Sequence, residues 1–380
     1  MREILLIGCG KIGTTIARML AKTHDYHLTL ADLSTQRLSQ LKSLPNIRAT
    51  LPLDVSDPQA LDRAMQDKVA VISALAYPLC PTIAQAAQRN KLSYYDLTED
   101  TEVSTHIAEL AQSSSPPQIF VPQCGLAPGF IAIVAKHLAE QFDTVDSISM
   151  RVGALPLYPT NALKYNLTWS TLGLINEYCQ PCQILQDGKL HSVPALSELE
   201  SLSIDGTRYE AFHTSGGVGS LCSSLLTQAR HIDYKTIRYP GHRDLIRFLL
   251  HDLKFESRRG LLCELMENAI PSTEQDYVLS FCNVTGTKEG KLIQLSDARK
   301  IYHTQLDGKH LSAIQFTTAA SLCAVVDLTQ LAPTPNQSGL IHQEDIPLTD
   351  FLKNRFGKYF ELGNTESAQV TQPSAIIASN

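Results

Sequence analysis

The stretch "LLIGCGKIGTTIARML" (residues 5–20) decides how the chain is read. Gly8, Gly10 and Gly13 stand at G-x-G-x-x-G spacing between an apolar run and a helical pattern. Alone, that spacing is weak evidence. Here the pattern follows a first strand and opens a first helix, and a second strand, "HLTLAD", ends at Asp32, near the roughly 20-residue offset of a dinucleotide fingerprint. In such a loop Gly8 permits the tight turn, Gly10 lets the backbone approach a pyrophosphate and Gly13 allows close helix–strand packing. Lys11 and Ile12 open the helix, whose N-terminal N–H groups and dipole favour an anion.

The pattern extends outward. "EILLIG", "HLTLAD", "AVISAL", "LSYYDL" and "QIFVPQ" read as strands alternating with helical segments, which predicts an α/β fold, a Rossmann-type parallel sheet with crossover helices. Asp57 ahead of Pro58 predicts a capped helix start. From about residue 145 the pattern changes to a second α+β unit on a mostly antiparallel sheet, with "QDGK", "IDGTR" and "LDGKH" as hairpin turns. Residues 312–331 are helical and rich in small residues. The expected division is 1–124 plus 313–363 for the dinucleotide unit, 125–312 for substrate binding and dimerisation, and a disordered tail over 364–380.

Composition narrows the function. At 380 residues, 43% hydrophobic and 18% charged, with net charge −6, the chain gives no general reason to bind nucleic acid or an anionic membrane. Its longest apolar runs, 69–77 and 130–135, fall short of the roughly 18 residues of a spanning helix, so no membrane association is expected. "MREILLIGCG" lacks a signal-peptide pattern and reads as a cytoplasmic terminus. Nine scattered cysteines do not suggest a disulfide framework, and the Cys179/Cys182 pair has no partners to complete a metal site. A small-molecule partner and no metal are expected.

For the cofactor, Asp32 would accept hydrogen bonds from ribose hydroxyls and repel a 2′-phosphate, which favours NAD; Arg37, one helical turn on, could meet a phosphate and keeps NADP open. Asp54, in "PLDVSD", is placed to lie near the adenine, and "SALAYP" (73–78) puts Ala74 and Leu75 where backbone can approach the ribose and nicotinamide.

"QCGLAPGF", "RVGALP", "YNLTWSTLGLINEY", "YEAFHTSGG" and "YKTIRYPGH", in that order behind the dinucleotide unit, resemble the saccharopine dehydrogenase-like family, nearest its lysine 6-dehydrogenase branch, over roughly residues 2–360. The resemblance implies an NAD(P)-linked oxidoreductase acting on the CH–NH group of an amino acid, and a homodimer. Ala127 in "GLAPG" stands where saccharopine-cleaving relatives tend to carry aspartate, which favours a lysine-type substrate. Saccharopine and carboxynorspermidine dehydrogenases are the neighbouring alternatives, and an NAD-binding regulator is the non-enzymatic one.

Oxidising an amine requires a neutral nitrogen, and a lysine ammonium has a pKa of about 10.4, so a proton acceptor is needed. Asp96, at the end of a strand in "SYYDLTED", could orient the amine or act as base, with Glu99 as a neighbour; both would equally start a helix. Cys124 and Gly125 are expected to face the nicotinamide, as small residues that leave room for the ring. Arg238 is expected to hold the α-carboxylate and His242 to transfer protons, though His242 could instead cap the helix at "RDLIRFLL". Thr214 and Ser215 offer hydroxyls to carboxylate or cofactor, and "LKYNLTWS" reads as a strand with Tyr165, Leu167 and Trp169 on one face.

Overall fold

A computed structural model describes residues 1–115, 117–331 and 338–361; the expected tail over 364–380 lies outside the described residues. In the first unit, strands β1 (Arg2–Ile7), β2 (Tyr26–Asp32), β3 (Ile47–Pro52), β4 (Ala70–Ser73), β5 (Ser93–Asp96) and β6 (Ile119–Val121) alternate with helices α1 (Lys11–Ala21), α2 (Thr35–Leu41), α3 (Pro58–Met65), α4 (Cys80–Arg89) and α5 (Thr101–Ala111). The strands pair in parallel in the order β6-β5-β4-β1-β2-β3. Ile4 to Ile7 are buried on both faces, as helices on either side of a parallel sheet require. Strand order reverses at β1, and open α/β sheets bind ligands at such a switch point. The Asp57 carboxylate caps α3 through the Gln59 and Ala60 N–H groups, as expected.

The second unit comprises α6 (Phe130–Ala139), β7 (Thr144–Pro156), α7 (Thr171–Cys179), β8 (Cys182–Gln186), β9 (Lys189–Val193), β10 (Glu200–Ile204), β11 (Thr207–His213), α8 (Leu221–Ser224), β12 (Ala229–Arg238), α9 (His242–Arg247), α10 (Arg259–Ala269), β13 (Asp276–Lys288) and β14 (Lys291–Tyr302). Its sheet runs β10-β11-β12-β7-β13-β14, with the β8–β9 hairpin joined to β12. Among the described residues, only the β12–β7 pairing within it is parallel. The predicted hairpins turn on Asp187-Gly188, Asp205-Gly206 and Asp307-Gly308, each pair with positive φ as a tight hairpin turn demands.

One expected strand does not form. "LKYNLTWS" makes only an isolated bridge, Leu167 to Ser272, because Lys164 takes φ 50° and breaks the extended run. Tyr165 and Leu167 instead fill an apolar cluster with Leu174 and Tyr178 of α7 and Leu262 and Met266 of α10.

Helix α11 (Ala313–Leu331) returns to the first unit and packs against α1. Asp276, at the start of β13, accepts hydrogen bonds from the Ala313 and Ile314 N–H groups, so the second unit caps this helix. By length and composition α11 could cross a membrane, yet Ala319, Ala320, Leu322 and Val325 are wholly buried in protein. Gly339–Leu340 then adds a short parallel strand beside β6.

Candidate active site

A cavity of about 360 Å³ opens between the two units. The glycine loop contributes Gly10, Lys11 and Ile12, and the end of β4 contributes Ala74 and Leu75. Glu99 and the 125–128 loop complete the first side; Val152 to Ala154 of β7, Trp169, Glu177 of α7 and Arg238 at the end of β12 form the other.

The three fingerprint glycines divide their work. Gly8 has φ +97°, and a Cβ there would stand 2.7 Å from the Ala74 carbonyl oxygen. At Gly13 a Cβ would sit 1.8 Å from the Gly8 oxygen. Those two positions are closed by packing, whereas a Cβ on Gly10 would meet nothing within 4 Å among the described residues. Gly10 is also the N-cap of α1, and it brings no side-chain cap to the first N–H groups of the helix. The open space and the uncapped helix terminus fit a pyrophosphate.

Asp32 is buried and accepts hydrogen bonds from the Cys9 N–H at 2.6 Å and the Ser34 N–H at 2.7 Å. Its carboxylate retains lone pairs for a ribose. The Arg37 guanidinium lies 3.8 Å away and is more than half exposed. Asp54 does not reach the cavity; it is exposed and bonded to the Ser56 N–H and hydroxyl, which hold its carboxyl below the usual range.

The structure corrects several expectations about the chemical end of the site. Asp96 is wholly buried and off the cavity wall, bonded by the Tyr94 hydroxyl at 2.8 Å, the Thr98 N–H at 3.1 Å and the Gln123 N–H at 2.8 Å. It ties the end of β5 to the segment after β6 and is in no position to meet a substrate amine.

His242 is buried behind the cavity with both ring nitrogens engaged, Nδ1 with the Leu163 carbonyl at 2.8 Å and Nε2 with the Tyr178 hydroxyl at 3.0 Å. Burial, with Arg238 nearby, pushes its pKa down to about 3 and keeps it neutral. The Tyr178 oxygen in turn accepts the Arg238 Nε–H at 3.1 Å, so His242 positions Tyr178 and thereby the arginine.

Cys124 is buried, its thiol donates to the Val121 carbonyl at 2.9 Å, and burial pushes its pKa well up; its neighbour Gly125 does line the cavity. Thr214 pairs with Thr236 at 2.6 Å and, like Ser215, is buried away from the cavity lining. The "TSGG" turn instead packs beneath the Glu99 backbone, where a Cβ on Gly216 would lie 2.1 Å from the Glu99 carbonyl oxygen.

What the structure does bring together is Arg238 with two carboxylates. Arg238 is 4% exposed, with Nη1 donating to the Ile237 carbonyl at 3.0 Å and its guanidinium 5.1 Å from the Tyr165 ring centre. Among the described residues it forms no ion pair. Burial pushes the Glu99 carboxyl up to about 7, with Asp100 and Asp96 adding to the effect. Glu177 is driven well up by burial and by Glu99, partly opposed by Arg238. Sequence reasoning missed Glu177, although a lone carboxylate in the otherwise apolar "LGLINEYC" was a visible signal.

Comparison with known proteins identifies relatives of both units. A family model described as "Saccharopine dehydrogenase NADP binding domain" matches residues 4–118, and "Saccharopine dehydrogenase C-terminal domain" matches 125–358. The chain is 25% identical over 267 residues to saccharopine dehydrogenase [NADP(+), L-glutamate-forming] of Saccharomyces cerevisiae, covering 66% of this chain and 57% of that protein. It is 24% identical over 254 residues to mitochondrial alpha-aminoadipic semialdehyde synthase of Mus musculus, covering 63% of this chain but 27% of that protein. The match thus spans little more than half of one curated relative and about a quarter of the other. The solved apo saccharopine dehydrogenase (L-Glu forming) from Saccharomyces cerevisiae shares the fold, with TM-score 0.73, 16% identity and coverage of 95% of this chain and 96% of that one.

Proposed function

Because the chain belongs to the saccharopine dehydrogenase family, we propose that it is an NAD(P)-dependent oxidoreductase acting on the CH–NH group of an amino acid, oxidising the terminal C–N bond of a lysine-type substrate. The observation that carries this reading is Arg238, a buried guanidinium lining the cleft that feels the Glu177 carboxylate across the cavity but forms no ion pair among the described residues. Such a cation is stabilised by a bound carboxylate, which an arginine holds through two parallel hydrogen bonds.

Among the described residues Arg238 is the one arginine lining the cavity, which suits a substrate with a single carboxylate better than saccharopine with several. Ala127 in the cavity wall supports the same choice. The names of the curated relatives favour the glutamate-forming saccharopine reaction as the second reading.

A dinucleotide seated on the glycine loop would supply the hydride acceptor. The Asp32 carboxylate, an acceptor for ribose hydroxyls, supports NAD, while Arg37 offers a cation to the 2′-phosphate of NADP. Tyr178, steadied by His242, aims the guanidinium of Arg238. Leu75, Leu126 and Pro128 give the cavity an apolar wall that keeps water from the reacting carbon.

The test is absorbance at the reduced-nicotinamide band with lysine, saccharopine, ornithine and carboxynorspermidine, each with both cofactors. Lysine turnover is expected. Turnover of saccharopine alone would replace the lysine reading with the glutamate-forming one, and no turnover of any amine despite tight dinucleotide binding would end the dehydrogenase reading.

A further inference from the structure

Glu99 and Glu177 approach one wall of the cavity from different units. Gly173 and Glu177, four residues apart on α7, share a face, and the Trp169 ring from the segment before the helix folds onto Gly173. A Cβ on Gly173 would lie 2.7 Å from Oε1 of Glu99 and 2.6 Å from the Trp169 ring. The Glu99 carboxylate therefore rests over Gly173, one helical turn from Glu177, with the indole beside it. Residues so spaced are about 6 Å apart.

Glu177 is 8% exposed and lines the cavity, and among the described residues its carboxylate has no hydrogen-bond or ion-pair partner. Glu99, among the same residues, takes a hydrogen bond only from its own backbone N–H. The charged groups around the pair are Arg238 and Lys11, which line the same cavity, and Asp96 and Asp100; Tyr77, Tyr165, Tyr178 and Tyr234 and the Cys80 and Cys182 thiols are the other titratable groups near it. A buried, unpartnered carboxylate is costly unless a cation arrives to pair with it.

We propose that Glu99, Glu177 and the Trp169 ring form an ammonium subsite, separate from the Arg238 carboxylate subsite, and that Glu99 accepts the substrate's proton. The inference rests on the reading of this cavity as an amino-acid dehydrogenase site. It defines the substrate class as an amino acid carrying a second, basic primary amine.

Before substrate enters, burial and mutual repulsion keep the pair short of two charges. An entering ammonium stabilises the second charge and displaces one proton to solvent. One N–H bond of the ammonium then breaks and an O–H bond forms on Glu99, leaving a neutral amine with a free lone pair. Glu177 remains ionised and holds that amine. The indole face adds cation–π attraction to the ammonium. Gly173 is the specificity position, since any larger residue there would displace both Glu99 and Trp169.

The test uses the full-length protein saturated with NADH, titrated with lysine and with norleucine, which lacks the second amine. Wild type is expected to bind lysine at least about tenfold more tightly than norleucine, the gain from one charged hydrogen bond. Calorimetry in two buffers should show proton release with lysine and none with norleucine.

Glu177→Gln should shrink the lysine-to-norleucine ratio about tenfold, and NADH affinity, unchanged, reports an intact fold. Glu99→Gln should bind lysine within a few-fold of wild type yet turn it over about 10²-fold more slowly or worse, losing the acidic limb of its pH–rate profile. An unchanged ratio in Glu177→Gln, or a retained acidic limb in Glu99→Gln, overturns the subsite while leaving the dehydrogenase reading standing. Failure of wild type to bind any amino acid overturns both.

Discussion

Replacing Asp96 with asparagine separates a scaffold carboxylate from a catalytic one. Burial pushes this carboxyl from its ordinary 3.8 up to about 6, although the Gln123 and Thr98 N–H groups and the Tyr94 hydroxyl all donate to it. The folded state thus holds the Asp96 proton more tightly than the unfolded state does. Its contribution to stability is fully present below about pH 4 and is lost as pH rises through about 6, at 1.36 kcal/mol per unit, a total of about 3 kcal/mol.

Asparagine cannot ionise. Its amide oxygen can keep the two backbone donors, and the Tyr94 hydroxyl can accept from the amide NH2 while donating to the Cys80 carbonyl. Urea denaturation midpoints measured from pH 4 to pH 8 should therefore fall in wild type relative to Asp96→Asn by about 3 kcal/mol, with kcat within a few-fold. Parallel pH profiles for the two proteins would refute the linkage. A drop in kcat of about 10²-fold or more at unchanged stability would restore Asp96 as the base.

The glycine loop allows a sharper contrast. Gly10→Ala should leave thermal stability unchanged and abolish dinucleotide binding, because its Cβ enters only the ligand's space; Gly13→Ala should lower stability by about 1–3 kcal/mol, because its Cβ collides with the Gly8 carbonyl. Calorimetric melting and NADH fluorescence titration distinguish the two. Asp32→Ser should raise relative affinity for NADPH over NADH about tenfold, and unchanged relative affinities would show that Asp32 does not read the ribose. His242→Gln should raise KM for the amino acid as Arg238 loosens, while the kcat/KM pH profile keeps its shape above pH 5, since this histidine is neutral there. Loss of a limb near neutrality would make it a proton shuttle after all.

The fold was legible because its signals are local. Asp57-Pro58 specifies a helix start by itself, and Asp187-Gly188 specifies a turn by itself. "LKYNLTWS" failed because alternation says nothing of Lys164 entering the left-handed region. The glycine loop and Asp32 were readable because they sit on one short strand–helix–strand unit, whereas Asp54, expected near the adenine, is exposed and off the cavity wall.

The chemical end was not. Asp96 and His242 have the right residue types near the right strands, but the cavity wall is built from β5, α7 and β12 meeting across two units, and sequence order does not say which residue of each faces inward. Arg238 does face inward, whereas His242, four residues later, has turned behind it. Glu177 was hidden for the opposite reason: a helix this apolar reads as core until its partner face proves to be a cavity.

Helix α11 does more than complete the first unit. Because it returns there, the polypeptide passes between the units twice, near Gly125 and again near Ser312, where Asp276 clasps the helix. Two covalent crossings, with an apolar core that runs unbroken from Ile4 and Val121 through Phe130 to Val152 and Val278, join the units, so they cannot rotate freely about a single tether. Gly125, Ile314 and Thr318 line the cavity, which places both crossings beside the space a ligand would fill. The stretch of wall nearest the crossings is thus tied down by the chain from both sides, which fixes the innermost surface of the cavity relative to both units.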